Sequence, residues 1–199
     1  MCNLYRMEKG PDAIAQVARA MGRQLEFPEG APNFAPGDIR ITDRAPILRA
    51  VRGAPGAAEM VARRWSWPGP GGKPLFNLRS EKWRFDVGQR CVALADAFYE
   101  HTAPKDAAQK RKDRWAFTWP PERGGHEWFG IAAIWRADPA VGEAFSLLTC
   151  EPGPDVAPYH ARQVIMLSPA DCFAWLDGTI DVACAAAPKA AGSLAVCPA

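Results

Sequence analysis

The sequence has no long apolar run, which excludes a transmembrane helix. Its first ten residues lack the apolar stretch of a secretory signal or lipoprotein leader, so a cytoplasmic location is expected. There is no Cys-x-x-Cys pair and no Cys/His cluster. The six cysteines (Cys2, Cys91, Cys150, Cys172, Cys184, Cys197) are scattered, so free thiols are expected, without a metal or cofactor. Only three histidines are present, His101, His126 and His160, which leaves few groups titrating near neutral pH. Internal repeats are absent, and the net charge is only +2.

What is present suits one globular domain: 199 residues, 48% hydrophobic, with eight tryptophans. The charge is uneven. Residues 40–90 hold eleven Lys/Arg against four Asp/Glu, a local +7 that leaves −5 for the rest. Such a segment fits either an anionic partner such as a nucleic-acid backbone or a solvated Arg-rich surface. A second basic run, Lys105 to Arg114, alternates with Asp106 and Asp113 and reads as a solvated loop.

Gly10-Pro11-Asp12 opens a helix whose inner face is Ile14, Val17, Ala18 and Met21, with Gly22 near its end. Residues 25–45 read as an irregular connection and Ile47–Val51 as a short strand. Trp67–Pro74 reads as a loop, because Pro and Gly break both regular structures. Strands are expected at Cys91–Tyr99, Trp115–Trp119, Trp128–Trp135, Phe145–Thr149 and Val164–Leu167. Ser168-Pro169-Ala170-Asp171 starts a second helix that stops at Gly178. The expected division is a domain over 1–181 and a loosely held Ala/Pro-rich tail over 182–199. The class is α+β with a mostly antiparallel sheet.

Cys2 directly follows the initiator methionine. Once Met1 is removed, Cys2 carries an α-amine and a thiol together, a 1,2-aminothiol. With an aldehyde the amine forms an imine, and the thiol closes on it to give a thiazolidine. Four further stretches carry chemistry: Arg64-Trp65-Ser66-Trp67-Pro68; Phe76-Asn77-Leu78-Arg79-Ser80-Glu81, followed by Trp83 and Phe85; Arg90-Cys91 to Tyr99-Glu100; and Tyr159-His160-Ala161-Arg162 to Leu167. Glu100 ends an apolar strand, where partial burial raises a carboxyl pKa toward the range useful for proton transfer. His160 is an acid–base candidate, and Asn77 offers a neutral donor and acceptor. Arg79 and Arg162 lie two residues beyond Asn77 and His160. In extended chain they share a face with those residues, where phosphates could be met. Trp65 and Trp67 offer rings for stacking on bases, with core packing as the alternative.

In this order behind Met-Cys, these stretches resemble the SRAP (SOS response-associated peptidase-like) family, from Cys2 to about Trp175. The resemblance implies a β-barrel-like core flanked by helices and covalent capture of abasic sites in single-stranded DNA. It implies Cys2, Asn77, Glu100 and His160 as the reactive set, and Arg64, Arg79, Arg162, Trp65 and Trp67 as DNA contacts. It also implies a monomer that meets DNA at the nucleoid, with lyase or thiol peptidase activity as further capacities. The chain departs from the family pattern at Leu4, where a basic residue is usual, and at Leu78, His101, Gln163 and Val164. A Cys2-dependent thiol peptidase and a non-covalent single-strand binding module remain the rival readings.

Overall fold

Short runs of β-branched and aromatic residues between Gly- and Pro-rich breaks make this a strand-dominated chain. The structure is a computed structural model and describes residues 2–106 and 108–199. In chain order the elements are β1 (Leu4–Met7), α1 (Pro11–Ala20), β2 (Gln24–Glu26), β3 (Gly37–Arg40), β4 (Arg44–Ala50), β5 (Ala57–Trp65), β6 (Trp67–Pro68), β7 (Pro74–Leu75) and β8 (Asn77–Arg79). Then come β9 (Arg90–Ala95), β10 (Ala97–Thr102), β11 (Asp113–Thr118), β12 (Phe129–Asp138), β13 (Gly142–Cys150), β14 (Gln163–Val164), β15 (Met166–Leu167), α2 (Pro169–Asp177), α3 (Val182–Ala185) and β16 (Ala195–Pro198).

Strand β5 closes a barrel. It pairs antiparallel with β4 and also parallel with β13, where Phe145 lies opposite Trp65. The antiparallel pairs β4–β9, β9–β12 and β12–β13 complete the five-stranded ring. Closure leaves these five strands without a free edge along the ring and turns one face of each inward. Ile47, Val61, Ala93, Ile131 and Leu147 are all buried. A second sheet, in the order β16-β11-β10-β1-β3, packs beside the barrel.

Two connections bring distant segments to the barrel's flank. The run Cys91–Tyr99 is two strands, not one: β9 belongs to the barrel and β10 to the second sheet. They divide at Asp96, whose N–H donates to Arg6 O over 2.8 Å. That switch carries the chain from the barrel to the side of β1. Strand β8 lies parallel to β13, with Asn77 opposite Leu147 and Arg79 opposite Thr149, while β14 pairs β13 through Val164 and Thr149.

The helix starts obey their sequence signals. Proline opens α1, and Ile14 and Ala18 are its buried face, while Met21 stays 37% exposed. Ser168 and Asp171 form a capping box on α2, which ends at Gly178 in the left-handed region. Three expectations need correction. Trp67–Pro74 is not all loop, because β6 and β7 pair antiparallel at its ends, with Trp67 opposite Leu75 and Pro68 opposite Pro74. Residues 25–45 are not wholly irregular, because β2 and the start of β4 pair with β5 and β3 pairs with β1. The stretch after Asp181 is not a loose tail: α3 is capped by Asp181, and β16 pairs with β11. Asp155 accepts the amides of Gly192 and Leu194, and Arg123 donates to Leu194 O over 2.6 Å. Among the described residues no helix is long and apolar enough to cross a membrane.

Candidate functional site

Cys2 stands just ahead of β1, on the edge where the second sheet meets the barrel. Its side chain is 1% exposed, and its thiol donates to Leu4 O over 3.2 Å. Burial, reinforced by the negative Glu100, pushes the thiol up to about 12, against smaller opposing effects of backbone hydrogen bonds at Leu4 and Tyr99. The thiol is therefore protonated at neutral pH.

The backbone of Cys2 is held from both sides. Its carbonyl accepts from Asn77 Nδ2 over 2.6 Å. Its N–H donates to the carboxylate of Glu100, which is 1% exposed. Burial raises the Glu100 pKa, and the charge of His160 and the Cys2 hydrogen bond pull it partly back. Asn77 Oδ1 is buried with no protein partner among the described residues.

Each group reaches this point by its own element. β10 brings Glu100, two residues past the fully buried Phe98 and opposite Trp115. β8 brings Asn77, and Trp65 fixes that strand by donating from Nε1 to Phe76 O over 2.9 Å. His160 comes on the turn before β14. Its neighbour Tyr159 packs on Trp115 and Phe117, with ring centroids 4.9 and 5.4 Å apart, which seats the turn against the sheet that carries Glu100. His160 Nδ1 lies 3.0 Å from both the Arg162 N–H and the Arg162 carbonyl, so it accepts from the amide when bare and donates to the carbonyl when protonated.

The structure thus brings Cys2, Asn77, Glu100 and His160 together. The expected DNA contacts divide. Arg79 is exposed on β8, on the same side as Asn77 and opposite the buried Leu78. Arg162 does not face outward, as expected, but is 7% exposed. Its guanidinium binds Glu81 and Glu151, each at 2.9 Å, and Thr149 O at 2.7 Å. A buried guanidinium is kept only with such partners, and these leave it no phosphate to hold. Trp65 and Trp67 are also corrections. They are 0% and 1% exposed and cannot stack on bases: Trp65 packs edge-on against Tyr5, with centroids 5.1 Å apart, and Trp67 lies under Arg136. Arg64 is half-buried and reaches Thr42 O at 3.3 Å. Leu4 fills a core position at 9% exposure, which explains an apolar residue there.

Tyr99 borders the site through its backbone, which hydrogen-bonds the Cys2 thiol. His101 follows Glu100 in β10, where alternation turns its side chain to the other face, and its pKa is lowered by burial and by Arg114 and Lys112 of the second basic run. Tyr99 holds Asp38 at 3.1 Å. Among the described residues no group of three or more His, Cys, Asp and Glu side chains could hold a metal ion.

Solved structures share this fold. A protein from Bacteroides thetaiotaomicron is 16% identical, with a TM-score of 0.69 over 99% of this chain and 91% of its own. One from Bordetella bronchiseptica is 20% identical, with a TM-score of 0.69 over 100% and 99%. A phage-related protein from the same organism is 17% identical, with a TM-score of 0.71 over 100% and 94%. No curated protein matches the sequence. The family described as SOS response associated peptidase (SRAP) matches residues 1–195, and membership implies DNA-damage-associated binding of abasic sites. With nearly its whole length matched, the chain belongs to the SRAP family.

Proposed function

We propose that the protein captures abasic sites in single-stranded DNA as a covalent thiazolidine on Cys2 and so shields the lesion. One observation carries this reading: the Cys2 nitrogen faces the Glu100 carboxylate while Asn77 holds the Cys2 carbonyl. With Met1 attached, that nitrogen is an amide. Removal of Met1 makes it an amine in the same place and clears the residue bonded to it from the aldehyde's approach.

The steps balance without a co-reactant. The ring-opened sugar presents an aldehyde at C1′. The neutral amine, whose ordinary pKa is near ~8, adds to it to form a carbinolamine. Glu100 takes a proton from the amine and returns one to the departing hydroxyl, so one water leaves and an imine remains. The Cys2 sulfur then bonds to C1′, and its proton passes by way of Glu100 to the imine nitrogen, closing the thiazolidine. His160 exchanges a proton with the sugar ring oxygen and favours the open aldehyde. Asn77 fixes the carbonyl, so the nitrogen cannot swing away from Glu100.

The thiol peptidase reading needs a thiolate, and a thiol pushed up to about 12 beside a carboxylate is a poor one. That favours addition of the neutral thiol to an imine over direct attack on a peptide. The test is a denaturing gel of the Met1-free protein mixed with an abasic single strand. The expected result is a slow band that persists on denaturation and is absent with Cys2→Ala. No band from folded, Met1-free protein would overturn the reading, and Cys2-dependent cleavage of unstructured peptide without DNA would favour the peptidase.

A further inference from the structure

An abasic sugar has no base by which to be held, so its neighbours must position it. Trp65 and Trp67 are buried and cannot grip them. A cleft of about 520 Å³ nearby can. It is lined by Trp83 and Arg84, just past β8, and by Val182, Ala183 and Ala186 of the α3 segment. Trp83 is 38% exposed, one of only three large hydrophobic side chains exposed among the described residues. Arg79, Lys82 and Arg84 around it are exposed too. The cleft's acids, Glu81 and Glu151, share one cation, Arg162, each at 2.9 Å, which leaves the trio a single net negative charge against the three exposed cations Arg79, Lys82 and Arg84. That same Arg162 bonds His160 Nδ1 through its amide, so one residue links the cleft wall to the reactive cluster.

We propose that this cleft is a stacking subsite for the nucleobase adjacent to the abasic sugar, with the Trp83 ring on the base face and the basic side chains on the flanking phosphates. The chemistry fits single-stranded nucleic acid: an apolar slot with an aromatic wall beside exposed cations, in a size range that admits a flat heterocycle. Stacking tolerates any base, so the subsite would read the presence of a neighbour rather than its identity. This inference rests on the proposed capture of abasic DNA.

The test uses the Met1-free protein and fluorescein-labelled single strands carrying one tetrahydrofuran residue. This abasic mimic has no aldehyde, so binding stays reversible and does not depend on Cys2 chemistry. Replacing the base on one side with a second tetrahydrofuran should weaken wild-type binding by roughly 5- to 150-fold, while the same change on the other side costs less. W83A should bind the original strand more weakly by a similar factor and be indifferent to that base, and W83F should retain most of the effect. W83A matching the wild type, or keeping the same dependence on the flanking base, overturns the subsite. So does a wild type that does not bind the strand. A wild type that shows the Trp83-dependent effect yet forms no band with true abasic DNA would keep the subsite and remove the covalent mechanism.

Discussion

Glu100 combines its proposed role as proton carrier with a structural cost. Burial raises its pKa above the ordinary 4.5, so its ionised form is less favourable in the folded protein than in the unfolded chain. The sign comes from linkage. Below about 4.5 both states hold the proton and there is no penalty. As pH rises from there through the folded pKa, wild-type stability falls, and above it the loss is complete. Glu100→Gln carries no such penalty. Its melting temperature minus that of the wild type should therefore grow as pH is raised from about 4.5, and a gap flat with pH would rule out a burial cost on this carboxylate. The same variant should form the DNA adduct roughly 10²- to 10⁴-fold more slowly if Glu100 is the proton carrier, as single-turnover gels would measure. Gained stability with lost rate is the pattern of a group held for chemistry.

At the scale of elements, α2 lies close against the barrel strand β12. Gly130 in β12 permits that approach: an added Cβ would meet Cys172 Sγ of α2 and lie 2.5 Å from Val92 Cγ1. Both side chains are fully buried and cannot yield freely. Gly130→Ala should cost about 1–3 kcal/mol, read as a lower urea midpoint at unchanged slope, and an unmoved midpoint would show that the helix can shift. Elements differ in how far the sequence discloses them. Helix α2 is legible because Ser168, Pro169, Asp171 and Gly178 are local signals. Strand β5 is not, because Arg63 breaks its apolar pattern yet is buried at 6%, bonded to Glu29 and Glu143. Strands β2, β3 and β16 are three or four residues long and owe their form to distant partners. Asn77, Glu100 and His160 are legible as polar residues in ordered motifs. The burial of Trp65 and Trp67 is not, because an indole suits core and surface alike until its neighbours are known.

Across the whole molecule the same gap separates charge in the sequence from charge available to a partner. Of the basic residues between 40 and 90, Arg49 and Arg63 are tied to glutamates, and Arg90 donates to the carbonyls of Trp175 and Ile180. The local +7 therefore overstates what DNA would meet. Arg79, Lys82 and Arg84 are exposed along the chain from β8 to the cleft, and three phosphate contacts are the reasonable maximum for that stretch. Each contact to a single strand releases counterions, lowering the slope of log K against log salt by about 0.7. Binding of the tetrahydrofuran strand should therefore show a slope near about −2 across 50–200 mM salt, far shallower than the whole basic segment would give. Arg84→Gln should reduce the slope by roughly 0.7, with the loss of affinity shrinking as salt rises, whereas W83A should weaken binding at all salts and leave the slope alone. A slope unmoved by Arg84→Gln would place the strand away from this cleft.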